Sequence, residues 1–390
     1  MNLDNFRWQH KQALYVPWLL LLILGLVMMS SASTSIAESY TGNPAHFIIR
    51  QCFYVVLGVA AFYITTLIPI KNWQRFDVLL LALSIVGLIL VFVPGIGHEA
   101  NGSQRWLNFV VIKVQASEVA KFAAVFYIAG YLVRRQDEVM QTWRGFIKPL
   151  VVMFFVLILL FFEPDFGAIV VLMGAVLAQL FLGGVKAGQF FLLMLGALLL
   201  STLALGYESY RMERLMAYLD PWAPEHVYDT GYQLTQSLIA FGRGEIFGLG
   251  LGESIQKLFF LPESHTDFVF AIWAEETGLV GALVALGLLV FLVAKIWQVA
   301  WQAQLKKQMY AAYVAVGLAS LFTLQTLINI GVNTGLLPTK GLTLPFYSYG
   351  GSSLIICCVM VAVVVRINYE LSSNTETDSD ANTKREVAYA

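Results

Sequence analysis

Asp267 closes a short polar run, Leu261-Pro262-Glu263-Ser264-His265-Thr266-Asp267-Phe268, that abuts a long apolar segment. A carboxylate at such a half-dry boundary has its pKa raised by loss of water and can act as a general base near neutral pH. The competing reading is that Thr266 or Asp267 only caps the helix that follows. Glu275 and Glu276 stand roughly two helical turns further along the same segment and are alternative carboxylates. His265 is a further candidate partner, although a lone histidine is seldom a catalyst or a metal ligand.

Cations occupy the other conspicuous places. Arg105 lies in Asn101-Gly102-Ser103-Gln104-Arg105-Trp106, ahead of an apolar run. A guanidinium matches phosphate oxygens in bidentate fashion, while anchoring at a membrane interface is the plainer role for an Arg-Trp pair. Gln115, Glu118 and Lys121 recur every third residue and therefore share one helix face. Glu118 and Lys121 can pair there, either as a structural staple or as part of a polar cavity. Asp165, in Glu163-Pro164-Asp165-Phe166-Gly167, is placed to cap a helix that starts after the proline. Lys340 sits in a glycine- and proline-rich stretch from Asn329 to Ser353 that also holds Ser348. Irregular backbone of that kind is tolerated within a membrane only where it is buried in protein or lines a cavity.

These residues must be positioned by membrane helices. Of 390 residues, 58% are hydrophobic and 13% charged, about half the charge of an ordinary soluble domain. The apolar residues fall in long runs, and ten predicted spans lie near 14–32, 47–68, 77–95, 117–133, 149–162, 166–183, 188–206, 267–294, 310–332 and 346–366. The first run is longer than the apolar core of a signal peptide and is read as a retained helix. The expected fold is thus an all-α polytopic membrane protein. A formal net charge of -1 gives no sign of nucleic-acid binding. Cys52, Cys357 and Cys358 lie in apolar runs and read as small hydrophobic side chains; no metal-ligand spacing is present.

With a cytoplasmic N-terminus, 15 of the 24 lysines and arginines fall in the short cytoplasmic segments, as the positive-inside rule requires. Both termini are then cytoplasmic. The segment 207–266 becomes a large extracytoplasmic loop between the seventh and eighth spans, and loops of that length are commonly functional. Residues 1–370 form the transmembrane domain, and 371–390 read as a disordered cytoplasmic tail.

The motifs GSQRWLNF, QASEVAK, EPDFGA, the long block from Gly231 to Gly278 and NTGLLPTKGLTLPFYSYGGSS, in this order, resemble the SEDS family of bacterial cell-wall polymerases. The resemblance runs roughly from Leu14 to Tyr369. Gln233-Leu234-Thr235-Gln236-Ser237, Ile255-Gln256-Lys257-Leu258 and Thr339 to Pro345 are similar to the cell-division branch rather than the elongation branch. Ala116 and Ala168 depart from the family pattern, where proline and a hydroxylated residue are usual, but neither change removes a charge.

The resemblance implies ten spans and an inverting glycosyltransferase that polymerises lipid II at the outer face of the cytoplasmic (inner) membrane during septal division. It implies Asp267 as the base for the acceptor hydroxyl. Arg105, Lys121 and Lys340, with Gln115 and Glu118, would serve the undecaprenyl pyrophosphate of the donor glycan, and Asp165, His265, Glu275, Glu276 and Ser348 would support the site. A divalent cation, Mg or Mn, could assist the pyrophosphate, although no motif shows one. Implied partners are a class B penicillin-binding protein, divisome regulators and membrane lipids. A lipid II flippase, an elongation-type polymerase and a non-catalytic scaffold are the alternatives.

Overall fold

A computed structural model describes residues 3–100, 103–109, 112–196, 213 and 216–389. In a bilayer every backbone N–H and C=O must be satisfied within the protein, so the apolar runs become helices. In chain order they are α1 (Leu3–Thr41), α2 (His46–Leu67), α3 (Ile70–Val91), α4 (Ala116–Arg134), a short α5 (Gln136–Gln141), α6 (Trp143–Phe162), α7 (Phe166–Leu182), α8 (Ala187–Gly196), α9 (Tyr232–Gly244), α10 (Val269–Leu305), α11 (Met309–Asn333) and α12 (Gly351–Tyr389). Eight of them are long and apolar enough to cross a membrane, and α7 and α8 are shorter apolar helices in the sixth and seventh predicted spans. The rest of the predicted seventh span lies outside the described residues.

Burial separates the centre from the rim. In α4 and α11, 83% and 78% of the most apolar window is buried, against 17% in α2. The central helices carry small residues at their contacts, among them Ala120, Ala124, Ala315 and Ala319. Lipid tails are as apolar as leucine, so close backbone approach and polar glue must hold such helices together. Gln179 of α7 shows both: its Nε2 donates to the carbonyls of Val125 on α4 (2.9 Å) and Tyr313 on α11 (3.0 Å), and a Cβ on Gly317 would come within 2.7 Å of that nitrogen.

Three features add to the sequence expectations. Between α3 and α4 the chain forms a small antiparallel sheet in the order β1 (Gly97–Ala100), β2 (Ser103–Phe109), β3 (Ile112–Gln115), with Trp106 opposite Gln115. Its strands are too short for an alternating pattern to register in the sequence. The 207–266 loop does not stay clear of the bundle either. Helix α10 breaks at Gly278 (φ 66°, ψ −167°), and residues 245–250 fill the break. Leu249 and Gly250 N–H donate to the carbonyls of Glu275 and Glu276, while Leu279 and Val280 N–H donate to those of Glu245 and Ile246. Two carbonyls and two N–H groups freed by the break thereby find partners. Finally, α12 continues to Tyr389, and its spanning portion ends at Ser373.

Candidate active site

Four segments converge on Asp267: the start of α10, strand β2, the turn between α6 and α7, and the loop 338–342. Asp267 sits two residues before α10, half-buried beneath these segments. A Cβ placed on Gly341 would lie 3.0 Å from Asp267 Oδ2, so the loop backbone runs against the carboxylate. Next to that glycine, Lys340 Nζ stands 5.3 Å from the centre of the Phe166 ring. The same Phe166 opens α7, which ties the lysine to the α6–α7 turn.

Arg105 closes that turn from the β2 side. Its Nε donates to the Glu163 carbonyl at 3.0 Å and its Nη2 to the Pro164 carbonyl at 2.8 Å. Asp165 caps α7 as its spacing predicted, with Oδ1 accepting from Ala168 N–H at 3.1 Å. Its other oxygen accepts from Ser117 Oγ (2.8 Å) and Gln115 Nε2 (3.3 Å), fastening the turn to the start of α4. Gln115 N–H in turn donates to Ser352 Oγ at 3.1 Å.

The electrostatics of this cluster favour a proton acceptor near neutrality. Burial pushes the Asp267 carboxyl up to about 7; Glu263 raises it further, Arg105 pulls it down and Asp165 raises it again. Glu163 is pushed up to about 8, first by burial, then by Asp165, against the lowering effect of Arg105. Glu163 is fully buried and neither carboxylate oxygen has a hydrogen-bond partner among the described residues. A buried acid of this kind is more stable protonated.

The pH dependence of stability follows with a definite sign. Between the ordinary glutamate value of 4.5 and about 8, the folded state holds a proton that the unfolded chain releases. Stability therefore falls as pH rises through that window. Glu163→Gln, which has no proton to lose, is expected to melt higher than the parent near pH 8, the difference shrinking toward pH 5. Parallel melting-temperature profiles for the two proteins would count against a buried neutral Glu163.

Other predicted site residues lie elsewhere or are already engaged. Glu118 and Lys121 pair at 2.7 Å with side chains 5% and 3% exposed, so Lys121 is already engaged with a carboxylate. Exchanging the two, Glu118→Lys with Lys121→Glu, keeps a neutral buried pair. The exchange is expected to recover folded protein and part of the activity lost in either single reversal. Folded but inactive protein would instead give Lys121 a ligand-binding role. His265 packs its ring against Phe47 and Tyr349, which also touch each other, with its carbonyl accepting from Tyr349 N–H at 2.9 Å, and burial lowers its pKa. Ser348 Oγ accepts from Leu344 N–H at 2.7 Å and shapes its own turn.

Glu275 and Glu276 belong to a separate buried network. Glu275 accepts from Arg243 Nε at 3.0 Å and from Gln256 N–H at 3.2 Å. Glu276 accepts from Lys257 Nζ and Ser31 Oγ, each at 2.7 Å. Both carboxylates are spent on holding the re-entrant part of the loop to α1 and α10.

Sequence reasoning missed Glu163, and also Asn329 and Asn333 of α11, which reach the Asp267 backbone. Their signal was present: polar residues one turn apart in an apolar helix are costly and seldom idle. Among the described residues no group of three or more His, Cys, Asp or Glu side chains could hold a metal ion.

Comparison with known proteins places this geometry among relatives. The FtsW/RodA/SpoVE family model, described as a cell cycle protein, matches residues 11–373. The chain is 52% identical over 352 residues to the probable peptidoglycan glycosyltransferase FtsW of Pseudomonas fluorescens (strain SBW25), covering 90% of this chain and 86% of that one. It is 46% identical over 370 residues to the protein of the same description from Coxiella burnetii (strain RSA 493 / Nine Mile phase I), covering 94% and 98%. Among solved structures, a chain described under structural coordination of polymerization and crosslinking by a peptidoglycan synthase complex superposes with a TM-score of 0.75 at 26% identity, covering 92% of this chain and 97% of that one. The Thermus thermophilus rod shape determining protein RodA shares the fold, with a TM-score of 0.68 at 23% identity over 92% of this chain and 96% of that one.

Proposed function

Because the chain belongs to the FtsW/RodA/SpoVE family, we propose that it is a peptidoglycan glycosyltransferase that polymerises lipid II, with Asp267 as its general base. The observation that carries this reading is the placement of a carboxyl pushed up to about 7 against the loop that presents Lys340, beside a turn held by Arg105. Asp267 takes the proton from the acceptor 4-hydroxyl as that oxygen attacks the anomeric carbon. The bond to the undecaprenyl pyrophosphate breaks in the same displacement, with inversion and no covalent enzyme intermediate. Arg105 and Lys340 meet the negative charge that develops on the leaving pyrophosphate. Charges at one end of the bundle favour chemistry at a membrane surface over a route through the bilayer.

The protein is a multi-pass inner-membrane protein of the cell-cycle machinery. Its finer placement is part of the proposal: an outward-facing Asp267, both termini cytoplasmic, residence at the division septum, and partnership with a class B penicillin-binding transpeptidase and its regulators. The basic bias of the short loops supports the orientation. Reporters fused after Arg135 and Lys306 are expected to read cytoplasmic and one near Glu225 external; an internal signal at Glu225 would overturn it. A polymerase makes uncrosslinked strands, which gives a crosslinking partner its place.

The deciding experiment supplies purified protein with lipid II, alone and with a cognate transpeptidase, and resolves the products on a gel. Glycan ladders support polymerisation. Their absence in both arms, with lipid II crossing vesicle bilayers in a sided assay, would establish a flippase instead.

A further inference from the structure

Asn329 and Asn333 stand one turn apart on α11 and are 2% and 0% exposed. In an unbroken helix the Ala271 N–H would bond the Asp267 carbonyl directly. Here the Asn333 carboxamide stands between them. Its Nδ2 donates to the Asp267 carbonyl at 2.9 Å, and its Oδ1 accepts from Ala271 N–H at 3.2 Å. Ala271 N–H also bonds the Phe268 carbonyl at 3.0 Å, so the first turn tightens there and the Asp267 carbonyl is held by side chains of α11 instead. Asn329 Nδ2 donates to the same Asp267 carbonyl at 2.9 Å and to the Leu342 carbonyl at 2.6 Å. One nitrogen thus joins the base's backbone to the loop that carries Lys340 and Gly341.

The two amides also brace each other. Asn333 Nδ2 donates to the Asn329 carbonyl at 2.9 Å, and the Asn333 carbonyl accepts from Ser237 Oγ of α9 at 2.7 Å. Asn333 thus has the bonds to α9 and α10 that hold helices together, but both side-chain amides also converge on one carbonyl, that of Asp267, and Asn329 reaches the loop whose backbone lies against the Asp267 carboxylate.

We propose that Asn329 and Asn333 are positioning residues for the reaction, fixing the Asp267 backbone and clamping the Lys340–Leu342 loop to it so that base and leaving-group cation keep one spacing. The inference rests on the reading of Asp267 as the base. Reacting groups held in alignment lower the barrier, and a misplacement of about 1 Å can cost roughly 10²-fold. The clamp therefore acts on turnover rather than on substrate affinity.

The test uses purified full-length protein and lipid II, with polymerisation rates measured from pH 5.5 to 8.5 and melting temperature recorded for each variant. Asn329→Ala is expected to lower kcat by about 10–100-fold, with KM within about threefold of the parent. Asn329→Asp sets an acceptor oxygen against two carbonyl oxygens, so its deficit should be larger at pH 8 than at pH 6, where a protonated carboxyl can donate to one of them. Asn329→Ser keeps a shorter donor and should fall between the parent and the alanine variant. It carries the test if Asn329→Ala fails to fold.

A folded Asn329→Ala with kcat within twofold of the parent would overturn the proposal. So would losses that track only the folded fraction and leave the pH profiles of the Asp and Ser variants superimposable. Asp267→Asn in the same assay separates the two readings. Activity in that variant removes the base itself, whereas an inactive Asp267→Asn beside a normal Asn329→Ala removes only the clamp.

Discussion

Purified Asp267→Asn protein is expected to lose lipid II polymerisation by about 10²–10⁴-fold, the contribution of a positioned general base, while still inserting in the membrane. Asparagine preserves the shape of the side chain and can still cap a helix, so what disappears is the ability to accept a proton. The Asp267 backbone carbonyl, held by Asn329 and Asn333, is unchanged by the substitution. The pH profile carries the same information. A base acts when deprotonated, and burial pushes this carboxyl up to about 7. Parental kcat/KM is therefore expected to fall tenfold per pH unit below about 7 and to level off above it on account of this group. The residual rate of the variant should lack that acid limb. Glycan synthesis near the parental rate by Asp267→Asn would remove Asp267 as the base. Glu163, across the same turn and without a hydrogen-bond partner among the described residues, would then be the next candidate; Asp165, Glu275 and Glu276 are spent in their own networks.

Lys257→Met is expected to destabilise the protein by about 3–5 kcal/mol, the typical cost of leaving one member of a buried ion pair without its partner. Lys257 and Glu276 pair at 2.7 Å with side chains 7% and 0% exposed. The lysine also donates to the Gly252 carbonyl at 2.7 Å and to Ser31 Oγ at 3.1 Å. Its loss would leave Glu276 buried beside a single hydroxyl. The double variant Lys257→Met with Glu276→Gln removes both charges and is expected to recover most of the loss, because a buried pair replaced as a whole is often close to neutral. Melting in detergent and the yield of folded protein measure both effects. A Lys257→Met protein that melts with the parent would mean that water reaches Glu276, and the re-entrant loop would then not be sealed by this pair.

The two substitutions separate chemistry from architecture around one helix, α10. Asp267 stands at the mouth of α10, whereas Glu276 lies beside the break at Gly278, where residues 245–250 fill the helix. A Cβ on Gly248, at φ 81°, would come within 2.2 Å of the Glu276 carbonyl, and one on Gly278 within 2.4 Å of Gly248 N. Glycine at both positions is a geometric requirement of the re-entrant loop.

The sequence by itself determined the membrane class, the approximate spans, the pairing of Glu118 with Lys121 and the capping by Asp165. Each of these depends on composition or on neighbours within one turn, and local spacing along a helix is readable without a fold. The short motifs that mark the family also singled out Asp267, Arg105 and Lys340. Only the tertiary structure decided which of the candidates share a site. Arg105, the Glu163–Asp165 turn, Asp267 and Lys340 come from segments far apart in the chain, and no periodicity links them. The same holds for Glu275 and Glu276, whose partners Arg243, Lys257 and Ser31 turn two plausible bases into anchors. A carboxylate's chemistry is set by burial, by the charges that face it and by the donors already bound to it, and all three are fixed only when distant segments pack together.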